Sequence, residues 1–462
     1  MPSLPIDRRE FLALSAQAAT GLLVASCTPR PGARAAPRSP QGVRPEDVDT
    51  QWPIKRVVYL ILENRSFDNL FGRFPGANGT TVGVSFEREV PLIPCPDWLP
   101  GDLPHDHAAA IKDFAGGKMD GFAIGAFGPL YGYSQFSEED IPNYYHWARE
   151  NVLCDNFFGS QRGPSFPNHL YSIAGTGGGT IDNPENIRVL REGNQQYKSW
   201  GCDAWGDDVY VLVQDENGQV TKHDTCFSFP TVGEQLSERS IDWASYGASP
   251  NQPGYIWQAY SALENVYGTE LWDRHILEAP VDRLLDDIEA GALPSVSWVT
   301  PRFQLSDHPP YSTGHAHNWV TDVVNGIMRG DMWDSTAIFI TWDEWGGFYD
   351  HVVPPKLDHI DLGFRVPMLV ISPYAKRGYI DDGVSDFTSP LRFIADNWGL
   401  PYLTDRYRKV HNFEHVFDFR KDPRPADPRP KLRGLTRDPW DFPEDFPEWP
   451  EHISPMPPAI AS

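Results

Sequence analysis

The segment Arg56–Gly72, RVVYLILENRSFDNLFG, constrains this chain more than any other. Val57 to Leu62 is an unbroken run of strand-forming apolar residues. A strand with one face in water alternates polar and apolar residues. This one does not, so it predicts a central strand covered on both faces. It stops abruptly at Glu63-Asn64-Arg65-Ser66-Phe67-Asp68. In open α/β sheets, sites gather just beyond the carboxyl ends of the strands. Glu63 and Asn64 are hard oxygen ligands suited to a divalent cation. Taken alone, they serve equally well as a turn with a solvated Glu and a capping Asn.

A second stretch decides between these readings. Thr336–Thr341, TAIFIT, predicts another short buried strand, and it too ends in acids, Asp343 and Glu344, within WDEWGGFYDH. Gly346 and Gly347 let the backbone turn sharply or approach a ligand closely. Two strands that each deliver neighbouring oxygen ligands at their ends form two halves of one metal site.

These two motifs, ENRSFD after a strand and DE-x-GG-F-x-DHV about 280 residues further on, resemble those of the bacterial phosphoesterase family of phospholipases C and acid phosphatases. The resemblance runs from about Arg56 to Gly399. It implies an alkaline-phosphatase-like α/β fold, a three-layer α/β/α sandwich around a mostly parallel sheet. It also implies one divalent metal ion, of which Ca, Mg, Mn, Zn and Fe all accept such ligands.

Further motifs extend the likeness. GPS-x-PN-x-LY at Gly163–Tyr171 matches the family's nucleophile loop, which carries Ser or Thr. Pro164 and Pro167 suit a loop and the first turn of a helix. That puts Ser165 at a helix N-terminus, where backbone N–H groups favour an anion. By residue type alone it is an N-cap; by the resemblance it is the nucleophile. The resemblance gives a metal shell of Glu63, Asn64, Asp343 and Glu344, completed by the oxygen of Ser165. Asn168 holds either the phosphate or only the loop. GGKMDGF at 116–122 is a family stretch with a His upstream, making His105 the candidate for the substrate phosphate and His107 the alternative. His308, in SDHPP after the expected strand Ser295–Thr300, is the first choice for binding phosphate or protonating the leaving group. His315 and His317 are assigned to the surface, and Asp350 and His351 to supporting the ligands. Trp342, Trp345, Phe348 and Tyr349 either meet a choline head group or belong to the core.

The rest of the chain frames this domain. Arg8-Arg9-Glu10-Phe11-Leu12 resembles a twin-arginine export signal, and Val24-Ala25-Ser26-Cys27 a lipobox with lipid on Cys27; an ordinary cleaved signal is the alternative. Residues 1–27 are therefore expected to be a signal, 28–50 a flexible tether, 51–420 the catalytic domain and 421–462 a Pro-rich tail. The expected location is periplasmic or extracellular, with membrane contact through the lipid. Residues 200–250 read as a polar insertion with a hairpin around Glu216-Asn217-Gly218. Of the three pairings open to Cys95, Cys154, Cys202 and Cys226, Cys202–Cys226 is preferred because it closes this insertion; four buried thiols are the alternative. A net charge of −24 argues against nucleic acid as a partner. The expected function is metal-dependent phosphoric ester hydrolysis, by a phospholipase C on phosphatidylcholine-type lipids or an acid phosphatase on small phosphomonoesters. An inactive ligand-binding lipoprotein is the reading from another class. A sulfatase-like enzyme is disfavoured, since Ser165 lacks the Cys/Ser-x-Pro-x-Arg motif.

Overall fold

The computed structural model describes residues 41–122, 131–192, 195–250, 252–277 and 282–435. The signal, Cys27 and most of the tether lie outside these residues, as does the end of the tail.

Eight strands form the main sheet: β1 Arg56–Leu62, β2 Val152–Cys154, β3 Trp243–Tyr246, β4 Ile276–Leu277, β5 Val296–Val299, β6 Thr336–Trp342, β7 Met368–Ile371 and β8 Tyr379–Asp381. Their order is β4-β3-β5-β1-β6-β7-β2-β8. Only β7 runs against its neighbours; the other strands are parallel. Every residue of β1 and of β6 is buried, as unbroken apolar runs require. The helices are α1 Phe67–Phe71, α2 His107–Phe114, α3 Pro142–Glu150, α4 Ser165–Ala174, α5 Val232–Glu238, α6 Glu270–His275, α7 Asp282–Glu289, α8 Thr313–Arg329 and α9 Thr388–Trp398. They pack in two groups, α4 with α5 and α9, and α3 with α7 and α8. With the buried sheet between, this is an α/β sandwich.

The pairing of β1 with β6 fixes the site. Leu62 stands opposite Trp342 in parallel register, so Glu63 and Asp343 leave the sheet side by side. Asp343 N donates to Leu62 O (2.9 Å), and Glu63 N donates to Ser306 O (2.8 Å). The loops after β1, β5 and β6 thus converge at one edge.

Several boundaries differ from the sequence reading. The helix expected over 320–329 begins at Thr313. Its start was hidden by the polar stretch Thr313–Asn318, but Ser312 caps it by accepting from His315 N (3.2 Å). The strand expected over 364–372 shortens to Met368–Ile371, because Pro367 has no N–H and Phe364 and Val366 bond to Gly159 and Phe157 instead. The supposed insertion divides. Val211–Gln214 and Val220–His223 form the expected hairpin, and Cys202 and Cys226 are disulfide-bonded. Trp243–Tyr246, though, is fully buried and pairs with β4 and β5, so the main sheet resumes inside that range. The tether is anchored at its end: Val43 bridges Ile241, and Glu46 pairs with Arg56. Residues 424–435 run over α3 and α8, with Asn143, Asn318 and Asn325 bonding the backbone of Pro430, Leu432 and Arg429.

The disulfide spans 24 residues, and removing it frees that loop in the unfolded chain. Replacing both cysteines by serine is expected to lower unfolding free energy by about 3 kcal/mol, measured as a shift in denaturant midpoint.

Candidate active site

Four carboxylates meet where β1 and β6 end, and none is exposed: Glu63, Asp343, Glu344 and, on the loop before α2, Asp102 are all under 5 % accessible. Asp343 Oδ1 accepts from Asn64 N and Glu344 N, both at 2.8 Å, while its Oδ2 has no hydrogen-bond partner. Glu344 Oε2 accepts from Gly346 N (2.7 Å), and its Oε1 has no partner; nor has Asn64 Oδ1. Buried acceptors of this kind cost free energy unless something positive meets them. Burial first, then neighbouring Asp343 and Glu344, push the Glu63 carboxyl well above its ordinary range. Burial also drives Glu344 up, although His105 opposes it. The donor set and its orphaned oxygens therefore fit a divalent cation.

Local backbone shapes this cradle. Asn64 sits at φ +62°, a conformation Asn tolerates better than most residues. Gly346, at φ +62°, lies against it: a Cβ there would come within 2.4 Å of Asn64 O.

Ser165 is the first residue of α4, and its Oγ donates to Glu63 Oε2 at 3.4 Å. The loop before it is held by Asn168, whose Oδ1 accepts from Gln161 N (3.0 Å) and whose Nδ2 faces the carbonyls of Gln161, Gly163 and Pro164. Of the two readings left open for Asn168, these bonds favour the one in which it holds only the loop. One turn beyond Ser165, His169 Nε2 lies 2.9 Å from Glu63 Oε1 and 3.9 Å from Asp343 Oδ2. Sequence reasoning passed over His169. Its spacing of four from Ser165 on a helix was the signal that could have found it.

His105 and His308 meet edge to face, with ring centroids 5.6 Å apart. His105 Nδ1 is 2.7 Å from Leu103 O, and its Nε2 is 3.3 Å from Asn64 Nδ2. Burial opposes its charge, but Asp102, Glu344 and Asp343 more than offset this and raise it to about 9. His308 packs among Trp257 and Phe303 with Nδ1 against Pro309 O; burial, then the His105 charge, lowers it well below the usual value. His107 instead bonds Arg162 O (2.8 Å).

Other expectations are corrected. His317 is not on the surface: it is buried, stacks edge-on with Tyr144 and accepts from Asn143 N (3.1 Å). Of the two readings given for Trp342, Trp345, Phe348 and Tyr349, the structure favours the core: all are under 5 % exposed. The two indoles donate to Asp307 and Asp113, and Phe348 lies under Arg65. Asp350 and His351 belong to a separate cluster with Asp68. There Arg365, fully buried, reaches Asp68 and Asp350 at 3.2 Å and supplies the positive charge itself.

The phosphoesterase family model matches residues 54–401. Among curated proteins, the chain is 27% identical to "Hemolytic phospholipase C" of Pseudomonas aeruginosa, over 85% of this chain and 59% of that protein. It is 28% identical to "Phospholipase C B" of Mycobacterium tuberculosis, over 83% of this chain and 82% of that one. A solved protein of the alkaline phosphatase superfamily from Vibrio parahaemolyticus aligns over 85% of this chain and 75% of that one, at 10% identity and TM-score 0.34.

Two outcomes follow from the geometry. Glu63, Glu344 and His105 bind protons more tightly folded than unfolded, so the stability those protons confer is lost as pH rises. Metal-free protein should therefore lose melting temperature as pH rises above about 4.5, where the two glutamates begin to count, and further between about pH 6.5 and pH 9, where His105 does. A bound divalent cation should flatten that fall, and scanning calorimetry with and without chelator reads both. Gly346→Ala should cost at least about 2 kcal/mol, from the left-handed backbone and the collision with Asn64, and should weaken metal binding in titration calorimetry.

Proposed function

The chain belongs to the phosphoesterase family, and from that premise we propose that it is a metal-dependent phosphoric ester hydrolase with Ser165 as nucleophile, acting as a phospholipase C on phosphatidylcholine-type lipids. One observation carries the reading: a serine at a helix N-terminus, hydrogen-bonded to a buried cluster in which Asn64 Oδ1, Asp343 Oδ2 and Glu344 Oε1 meet no hydrogen-bond donor. Glu63, Asn64, Asp343 and Glu344 would hold the cation, with Ser165 beside it. When bound, such an ion neutralises phosphate oxygens and acidifies the serine hydroxyl.

The chain's own groups do the rest. The hydrogen bond from Ser165 to Glu63 aims the oxygen's remaining lone pairs away from the carboxylate. Ser165 Oγ passes its proton to Glu63 Oε2, the acceptor of its hydrogen bond, and attacks phosphorus; the bond to the glycerol oxygen breaks, phosphocholine stays on the serine, and Glu63 returns the proton to Oγ when water displaces it. His105, kept protonated by Asp102 and Glu344, gives its proton to the departing alkoxide. Now neutral, it takes a proton from the water that releases phosphocholine. His308, kept neutral by burial, packs edge-on against His105 and orients it. Asn168 fixes the loop that presents Ser165.

A phosphomonoesterase is the second reading. The aromatic residues that were open to meeting a choline group or forming core are buried with partners of their own, which removes one support for the lipid diester. The relatives' names supply the other support.

The test is hydrolysis of phosphatidylcholine against p-nitrophenyl phosphate by metal-loaded protein. Ser165→Ala should lose at least about 1,000-fold in kcat, and chelator should abolish turnover. Diacylglycerol and phosphocholine identify the phospholipase; orthophosphate from the monoester alone identifies the phosphatase. Undiminished turnover by folded Ser165→Ala refutes the nucleophile, and no turnover of either substrate favours a ligand-binding protein.

A further inference from the structure

We propose that His169 is a nitrogen ligand of the cation, so that the site takes a transition-series ion of the manganese, iron or zinc class rather than calcium or magnesium. This rests on the metal-dependent reading above and adds a residue to it.

Position comes first. His169 follows Ser165 by four residues on α4, so both side chains lie on one face, a turn apart. The ring is 2% exposed and touches the carboxylates rather than solvent. Three separations then bear on one ion: His169 Nε2 to Glu63 Oε1 is 2.9 Å, His169 Nε2 to Asp343 Oδ2 is 3.9 Å, and Ser165 Oγ to Glu63 Oε2 is 3.4 Å. With metal–ligand bonds of about 2.1 Å, two ligands of one ion stand about 3.0 Å apart at a right angle and about 4.2 Å apart across it. All three separations agree with that interval to about 0.1 Å.

Valence points the same way. Asp343 Oδ1 is taken twice by backbone N–H groups, whereas Oδ2, the oxygen facing the imidazole, has no hydrogen bond. His169 Nε2 faces this open oxygen at 3.9 Å and Glu63 Oε1 at 2.9 Å, so a cation held by the two carboxylates stands within reach of the imidazole. Calcium and magnesium prefer shells made wholly of oxygen, and imidazole suits the later ions.

Pulsed electron paramagnetic resonance of Mn(II)-loaded full-length protein tests this through the modulation that a directly bound ¹⁴N imposes. The expected result is nitrogen modulation in the wild type and in His105→Gln, and none in His169→Gln. His169→Gln should still bind Mn(II), with Kd raised at least about 10-fold, while its Mg(II) affinity changes little. Mn(II) binding without nitrogen modulation in the wild type overturns the proposal and leaves the metal site standing, and that spectrum needs no variant. Modulation that survives in folded His169→Gln, or in His169→Asn should Gln not fold, overturns it equally. Failure to bind Mn(II) at all overturns both this proposal and the metal-dependent reading.

Discussion

The structure depends on an electrostatic debt at the end of two parallel strands. Glu63, Asp343 and Glu344 are withdrawn from water with no Lys or Arg among their hydrogen-bond partners. Taking a carboxylate out of water costs several kcal/mol even after relaxation. Elsewhere the same protein settles such a cost internally: Arg365 joins Asp68 and Asp350, and Arg406 joins Asp386 and Asp358. The contrast between these closed networks and the open one is what marks the site. Where Asp68, Asp350 and Asp386 have arginine beside them, this group keeps open oxygens for a ligand.

Strand register converts that chemistry into geometry. Because β1 and β6 pair in parallel with Leu62 opposite Trp342, each strand's last residue hands its carboxylates to the same point. The loop after β5 joins them through Ser306 and carries His308. Arg65, buried between Phe136 and Phe348, donates to Asp307 O and Thr313 Oγ1 and so ties the first loop to the third.

What the sequence revealed and what it hid follow physical lines. Unbroken apolar runs made β1 and β6 plain, since nothing but burial on both faces explains them. Residues directly after those strands were legible because their positions follow from the chain itself. Partners supplied by another element were not. His169 offers only its helical spacing from Ser165, Asp102 and Arg365 carry no local pattern that distinguishes them from ordinary loop residues, and tertiary packing sets all three beside their partners. Short strands such as Trp243–Tyr246 escaped for a related reason: four residues in a polar setting give too little period to read. The aromatic residues near Glu344 looked available because their neighbours are charged, yet the sharp turn at Gly346 folds them inward.

The placement of β1 also has a consequence for how the chain becomes a protein. Val57 pairs with Val296 on one side and Ala337 on the other. This strand therefore waits for about two thirds of the domain to be made before its first neighbour exists. Until then it is an apolar edge with both sets of backbone groups unpaired, the kind of segment that recruits foreign strands. Synthesis proceeds at roughly 5–20 residues per second, so that interval lasts on the order of tens of seconds. The strand that anchors the finished site is thus the one most in need of a chaperone during assembly.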